Sequence, residues 1–208
     1  MHKSLAAIVV VFGVATGVMA QALAAEFKGL TTASPLFGDP SIGNTEVVVK
    51  TVTGSRDDKL RKLAYKDDIY HNELIQTYDE SATEIVFLDD TTLSLGPNSE
   101  ITLDRFVYDP DQNAGSFAMT VTQGALRFAS GKLSSDSYKI HTPVATIGIR
   151  GTLIEINVHN LVSDSGAPLT KVDLKVIKGE AVLSSCSGDT QHIIAGHAGH
   201  VLALAAQC

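Results

Sequence analysis

From residue 99 onward the chain is written in a period of two. In residues 99–106, Ile101, Leu103 and Arg105 fall on one side, with Thr102 and Asp104 on the other. Phe117, Met119 and Val121 alternate with Ala118, Thr120 and Thr122. Ile154, Ile156 and Val158 alternate with Glu155 and Asn157, and Val172, Leu174 and Val176 with Asp173 and Lys175. Successive side chains of a strand point to opposite faces, so this pattern buries one face and leaves the other wet. That is how antiparallel sheets covered on one side read. Turn residues punctuate the runs: Asp89-Asp90, Gly96-Pro97-Asn98, the polar stretch 109–115, and Gly124, Gly131, Gly151 and Gly179. About a dozen short strands at such spacing predict an all-β domain, an antiparallel sandwich of jelly-roll type, with a β-solenoid-like roll as the alternative. Helical periodicity is confined to residues 57–65, where it is weak. Residues 121–128 echo residues 176–183, each reading as an apolar strand, a glycine and a second strand. Two copies are too few for a solenoid, and hairpins resemble one another.

Residues 1–24 do not follow this pattern. Lys3 gives a short positive start, the run from Leu5 to Ala20 is apolar or small apart from Thr16, and Ala22-Leu23-Ala24 is a small-x-small cleavage signature. The run is shorter than the ~18–20 residues that span a bilayer. A cleaved signal peptide is expected, cut after Ala24 or alternatively after Ala20, and no second run is long enough to span. The expected product is exported, periplasmic or secreted. Residues 25–45, rich in Gly, Thr, Ser and Pro, read as a flexible lead-in to a β-domain over residues 46–208.

Composition narrows the function. Sixteen Lys and Arg against 23 Asp and Glu give a formal net charge of -7, and removal of residues 1–24 takes one lysine and no acid. No basic excess exists to neutralise a phosphate backbone, which argues against nucleic acid as a partner. Cys186 and Cys208 are the only cysteines, and in an oxidising compartment an even pair tends to bridge. The expected bond would pin the chain terminus to the end of the strand near Ser185, at a gain of roughly 3 kcal/mol for a loop of that length. Free thiols or an intermolecular bridge through Cys208 are the alternatives.

Candidate sites compete with plainer readings. His192, His197 and His200 cluster, but H-x4-H-x2-H is no tight ligand pattern. Asp109, Asp111 and Asn113 open like a calcium loop, then Ala114 and Thr120 stand where Gly and Glu belong. The pairs Asp57-Asp58, Asp67-Asp68 and Asp89-Asp90 read as turn chemistry and solubility. No nucleophile elbow, zinc-binding H-E-x-x-H, Walker A or dinucleotide fingerprint is present. No catalytic residue, metal or cofactor is expected.

One segment carries a more specific signal. Residues 84–104 read Glu-Ile-Val-Phe-Leu-Asp-Asp-Thr-Thr-Leu-Ser-Leu-Gly-Pro-Asn-Ser-Glu-Ile-Thr-Leu-Asp, and residues 124–131 Gly-Ala-Leu-Arg-Phe-Ala-Ser-Gly. Residues 138–152 follow as Tyr-Lys-Ile-His-Thr-Pro-Val-Ala-Thr-Ile-Gly-Ile-Arg-Gly-Thr. Together these resemble the FecR-domain family across residues 76–158, most specifically at Thr142, Pro143, Gly148, Arg150, Gly151 and Thr152. One departure is Asp90, where the family usually has Gly; Asp tolerates a left-handed turn better than most residues. The resemblance implies a periplasmic all-β domain without enzymatic activity. Sensor members relay a signal from an outer-membrane receptor through a preceding anti-sigma segment and membrane helix. This sequence reads as the periplasmic module alone, with an envelope protein of unknown identity as partner and a role in signalling or assembly.

The motif also has a reading of its own. Pro143 suits a strand start or edge. Gly148 and Gly151 permit a bulge around Ile149-Arg150. Arg150 brings a planar fork of donors that suits tying carbonyls or a carboxylate across the fold, with a ligand anion as the alternative. A glycan or cell-wall binding module is the second functional reading. It would rely on exposed aromatics, and the chain offers no Trp and only Tyr65, Tyr70, Tyr78, Tyr108 and Tyr138 as amphipathic rings.

Overall fold

The computed structural model describes residues 40–204, so the expected signal peptide, most of the lead-in and Cys208 lie outside the described residues. The regular structure of the described residues is almost wholly strand, and strands take up 67% of them: β1 (Gly43–Val49), β2 (Val52–Arg56), β3 (Lys59–Lys62), β4 (Asp68–Ile69), β5 (Leu74–Thr77), β6 (Ala82–Phe87), β7 (Thr92–Leu95), β8 (Glu100–Asp109), β9 (Ala114–Ala129), β10 (Tyr138–His141), β11 (Ala145–Val162), β12 (Pro168–Ser185), β13 (Thr190–Ile194) and β14 (Ala198–Leu204). Among the described residues one 3-10 turn, Ser135–Ser137, precedes β10. The all-β sandwich read from the alternation is what the chain forms.

The three long strands build it. The first part of β9 pairs with β8 and, in parallel, with β10; its last part pairs with β7 and β11. The first part of β11 pairs with β10 and the end of β12, and its last part with β9 and the start of β12. One layer therefore runs β3-β2-β5-β8-β9-β10-β11-β12-β13, and the other β4-β1-β6-β7-β9-β11-β12-β14, with β9, β11 and β12 passing from one to the other. Aromatic side chains close the space between. Phe117 of the first layer meets Phe87 and Phe128 of the second edge-on, at centroid distances of 5.0 and 5.4 Å, and Tyr138 meets Phe128 at 5.7 Å.

The crossings occur at glycines with positive φ. Buried positions on β9 are 117, 119 and 121 before Gly124, then 126 and 128 after it. On β12 they are 170, 172, 174 and 176 before Gly179, then 181 and 183. On β11 they are 145, 147 and 149, then 152, 154, 156 and 158, with the register slipping between Arg150 and Leu153. One extra residue at each bend inverts the parity, as a bulge does, and so returns apolar side chains to the interior. Gly179 has φ +82°, and a Cβ there would collide with the Gly151 carbonyl and lie 2.8 Å from Thr152 Cγ2. Residues 121–128 and 176–183, which the sequence suggested were hairpins, are thus single strands bent at a glycine.

Three further expectations are corrected. Residues 57–65 are not helical: Asp57 and Asp58, both at positive φ, turn the β2–β3 hairpin. Arg105 does not share the inner face of Ile101 and Leu103, because the β8–β9 register shifts between Thr102 and Arg105 and turns Phe106 and Tyr108 toward the core instead. Gly43, Asn44 and Thr45, the end of the expected lead-in, begin β1; Thr45 is buried, its hydroxyl donating to the Ala64 carbonyl at 2.5 Å.

Candidate functional site

The hairpin β10–β11 carries the motif. Thr142 closes its turn: the Thr142 N–H and hydroxyl both donate to the Ala145 carbonyl (2.8 and 2.9 Å), and the Ala145 N–H donates to Thr142 Oγ1 at 2.9 Å. Pro143, with no N–H to satisfy, sits within that turn. Beyond it Ile147 and Ile149 enter the core while Gly148 and Arg150 face outward. The bulge at Gly151 (φ +59°) then turns Thr152 inward, where its N–H donates to Ser130 Oγ at 3.0 Å and its carbonyl accepts from the Ser130 N–H at 3.0 Å.

On the outer face, register aligns Ala118, Lys139, Gly148, Val182 and His192 across five strands. Gly148 leaves a shallow groove of about 320 Å³ beside Lys139 and His192, with Val182 as its apolar wall. Arg150 spans one side, its Nη1 3.1 Å from Glu180 Oε1 and its Nε 3.9 Å from Asp136 Oδ1. It ties a carboxylate across β11 and β12 while remaining exposed. Along the other side runs a polar row of Thr120, His141, Thr146, Ser184 and Thr190. His141 Nδ1 lies 3.2 Å from Thr146 Oγ1. Neighbouring charges of both signs beside an apolar floor suit the docking of a polypeptide surface.

Beneath this face is a feature that sequence reasoning misread. Asp89 is fully buried rather than solubilising. Its carboxyl group accepts from the Thr91 N–H (3.1 Å), the Thr91 hydroxyl (2.7 Å) and the Tyr138 hydroxyl (2.8 Å). Tyr138 in turn accepts from the Leu133 N–H at 3.1 Å, and Thr91 Oγ1 from the Gly131 N–H at 3.1 Å. The network fastens β10, the first strand of the motif, to the β6–β7 hairpin. Burial pushes the Tyr138 phenol up to about 12; a hydrogen bond from Thr91 works against the shift and the Asp89 carboxyl reinforces it. The local signal was Asp-x-Thr, an Asx turn in which the side chain takes the N–H two residues on; Asp90, at φ 64°, completes that turn.

A second buried acid, Glu73, was also missed. Arg61 Nε and Nη2 reach its two oxygens at 2.8 and 3.0 Å, and the Tyr70 N–H donates to it at 3.0 Å. Other candidates lie apart. Asp109 takes the Asp111 N–H at 3.0 Å in the β8–β9 loop. His192 stands on β13, His197 in the following turn and His200 on β14. Among the described residues no three His, Cys, Asp or Glu side chains converge as a metal site would require. Cys186 is exposed just beyond β12, its N–H donating to the Val144 carbonyl at 3.0 Å. Its expected partner Cys208 is outside the described residues.

The fold and this face define a two-layer β domain with an outward-facing, motif-built groove. The chain belongs to the FecR family: the family model described as FecR protein matches residues 73–182, which include both buried acids and the whole motif. The family acts in envelope signalling. An uncharacterized protein of Treponema pallidum (strain Nichols) is 24% identical over 155 residues, 74% of this chain and 21% of that one. Two crystal structures of a candidate anti-sigma factor from Parabacteroides distasonis ATCC 8503 are similar at 10% and 9% identity, with TM-scores of 0.47 and 0.49, over 62% of this chain and 54% of theirs. The chain thus spans about a fifth of the length of the Treponema relative and about half that of the solved chains. Among the described residues no helix is long and apolar enough to cross a membrane.

Proposed function

We propose that this chain is an exported, non-catalytic protein-binding module of envelope signalling or assembly, and that the Gly148 groove is where an envelope protein docks. Family membership supports the setting. The observation that carries the site is that folding does not demand glycine at 148: a Cβ there would meet nothing closer than Val182 Cβ, at 4.0 Å. The missing side chain serves the surface, opening a groove beside Lys139 and Arg150. A photoreactive residue at Lys139, activated in cells, is expected to capture one specific envelope protein, and Gly148→Val is expected to cut that adduct at least fivefold without lowering thermal stability. No specific adduct, or one indifferent to Gly148→Val, would overturn the reading.

Residues 1–24 act as the export signal in this proposal, and Cys186 bridges Cys208. Intact mass after alkylation of the native exported protein is expected to show no reacted thiol, and two after denaturation and reduction; two reactive thiols in native protein would remove the bridge.

The glycan reading loses support in the structure. Tyr138 is buried and Tyr70 lies beneath the guanidinium groups of Arg56 and Arg61 at 4.6 and 5.3 Å. Exposed Tyr65 and Tyr78 sit on separate connections, and so do not pair as a stacking platform.

A further inference from the structure

Among the described residues the two layers end in strands laddered on one side, and these edges are not alike. Edge β3 carries Lys59, Arg61 and Lys62, and β4 has only two residues; both are ordinary ways of discouraging strand pairing. Edge β14 has seven residues, and residues 195–208 contain no Lys, Arg, Asp, Glu or Pro. Among the described residues β14 is laddered only to β12.

The backbone shows which groups face out. The Val176 N–H donates to the His197 carbonyl at 3.0 Å, so residue 197 is turned toward β12. Alternation along an antiparallel pair turns 199 and 201 the same way, and 200 and 202 outward. The His200 carbonyl confirms the phase: it accepts from the side-chain amide of Gln191, at 3.0 Å, rather than from β12. That amide occupies one of the two lone pairs a carbonyl offers. Leu202, 55% exposed, stands on the outer surface of this edge.

We propose that β14 is a self-association edge, and that its occupant is β14 of a second copy, antiparallel about a twofold axis at Val201. His200 of each copy then pairs with Leu202 of the other, using outward-facing backbone groups. Val201 meets its own counterpart and continues the apolar inner row begun by Val172. Charge selects this register. On the outer face Asp173 neighbours His200 and Lys171 neighbours Leu202, so each cross-strand row has Asp173 at one end and Lys171 of the second copy at the other. A slip that paired Leu202 with itself would put Lys171 at both ends of one row. An isologous contact needs a self-complementary patch, and this uncharged strand supplies one. The two second layers would form one continuous sheet.

Analytical ultracentrifugation of the purified protein is expected to show a monomer–dimer equilibrium. Leu202→Asp, which sets an acid in the row of Asp173 from the second copy, is expected to weaken it at least tenfold. Ile194→Asp on the other uncharged edge, β13, is expected to leave it unchanged. In wild-type protein, hydrogen exchange at the His200 and Leu202 amides is expected to slow as concentration rises, a readout that needs no variant. A monomer at every accessible concentration overturns the proposal. So does a dimer abolished by Ile194→Asp but not Leu202→Asp, concentration-independent exchange at both amides, or strand pairing only with an added foreign peptide.

Discussion

Gly179→Ala is expected to lower the free energy of unfolding by about 3 kcal/mol, the sum of a left-handed backbone cost of roughly 1–2 kcal/mol and the displacement of a packed neighbour. Gly179 holds φ +82°, and its Cβ would press on the Gly151 carbonyl, 2.9 Å from the Arg150 carbonyl and 2.8 Å from Thr152 Cγ2. Those atoms belong to the bulge of the neighbouring strand, so one methyl group disturbs two of the three layer crossings. Gly148→Ala is the internal comparison. It lies on β11 with open space above it, and there alanine is expected to leave stability unchanged or raise it by about 0.5 kcal/mol. Urea denaturation of both variants measures the difference. Equal effects would mean that the crossing glycine is not conformationally required.

Asp89→Ala is expected to cost about 3–5 kcal/mol, as removal of one partner from a buried polar network does. Three donors, the Thr91 N–H, the Thr91 hydroxyl and the Tyr138 hydroxyl, would lose their acceptor where water does not reach. Tyr138→Phe removes only the phenolic oxygen, and about 1–2 kcal/mol is expected. The network also gives the fold an alkaline limit. The phenol of Tyr138 is raised from 10.0 to about 12, so the folded state holds its proton where the unfolded chain releases it. Its stabilisation is therefore complete below about pH 10 and lost as pH rises toward about 12, at up to ~1.4 kcal/mol per pH unit. Because other groups titrate there too, the measurement is the difference between wild type and Tyr138→Phe. Parallel stability curves across that window would show that Tyr138 is not the titrating group.

These two results concern features that the sequence displayed very unequally. Phe117, Met119 and Val121, or Ile154, Ile156 and Val158, were legible as inner faces because alternation is a local property of an extended chain. The β6–β7 turn at Asp89-Asp90 and the motif hairpin were legible for a similar reason: turn chemistry acts within a few residues. The inverted parity after Gly124 and Gly179 was in the sequence as well, but it read as a break between two strands. A bulge and a loop both interrupt alternation, and only the partners on either side distinguish them.

Asp89 shows the same division from the side of polarity. Next to Asp90 it looked like a solvated turn residue, since an acid is ordinarily wet. Its burial depends on Tyr138, 49 residues away, which no local pattern could bring to it. Likewise Gly148 read as a bulge residue beside Gly151. The bulge falls at Gly151 alone, and Gly148 is the floor of a groove that exists only once β10, β12 and β13 lie alongside.

By itself, then, the sequence determined that the fold is all-β, which side of strands such as residues 117–121 and 154–158 is apolar, where turns such as Asp89-Asp90 fall and which family motif it carries. These follow from the two-residue period of the extended chain and from the torsional preferences of Gly, Pro, Asp and Asn. Only the tertiary structure decided which glycines are layer crossings, that Asp89 and Glu73 are buried acceptors, and that Gly148 opens a surface. Each of those depends on which strands become neighbours, and pairing is a property of the whole fold that a local period of two leaves open.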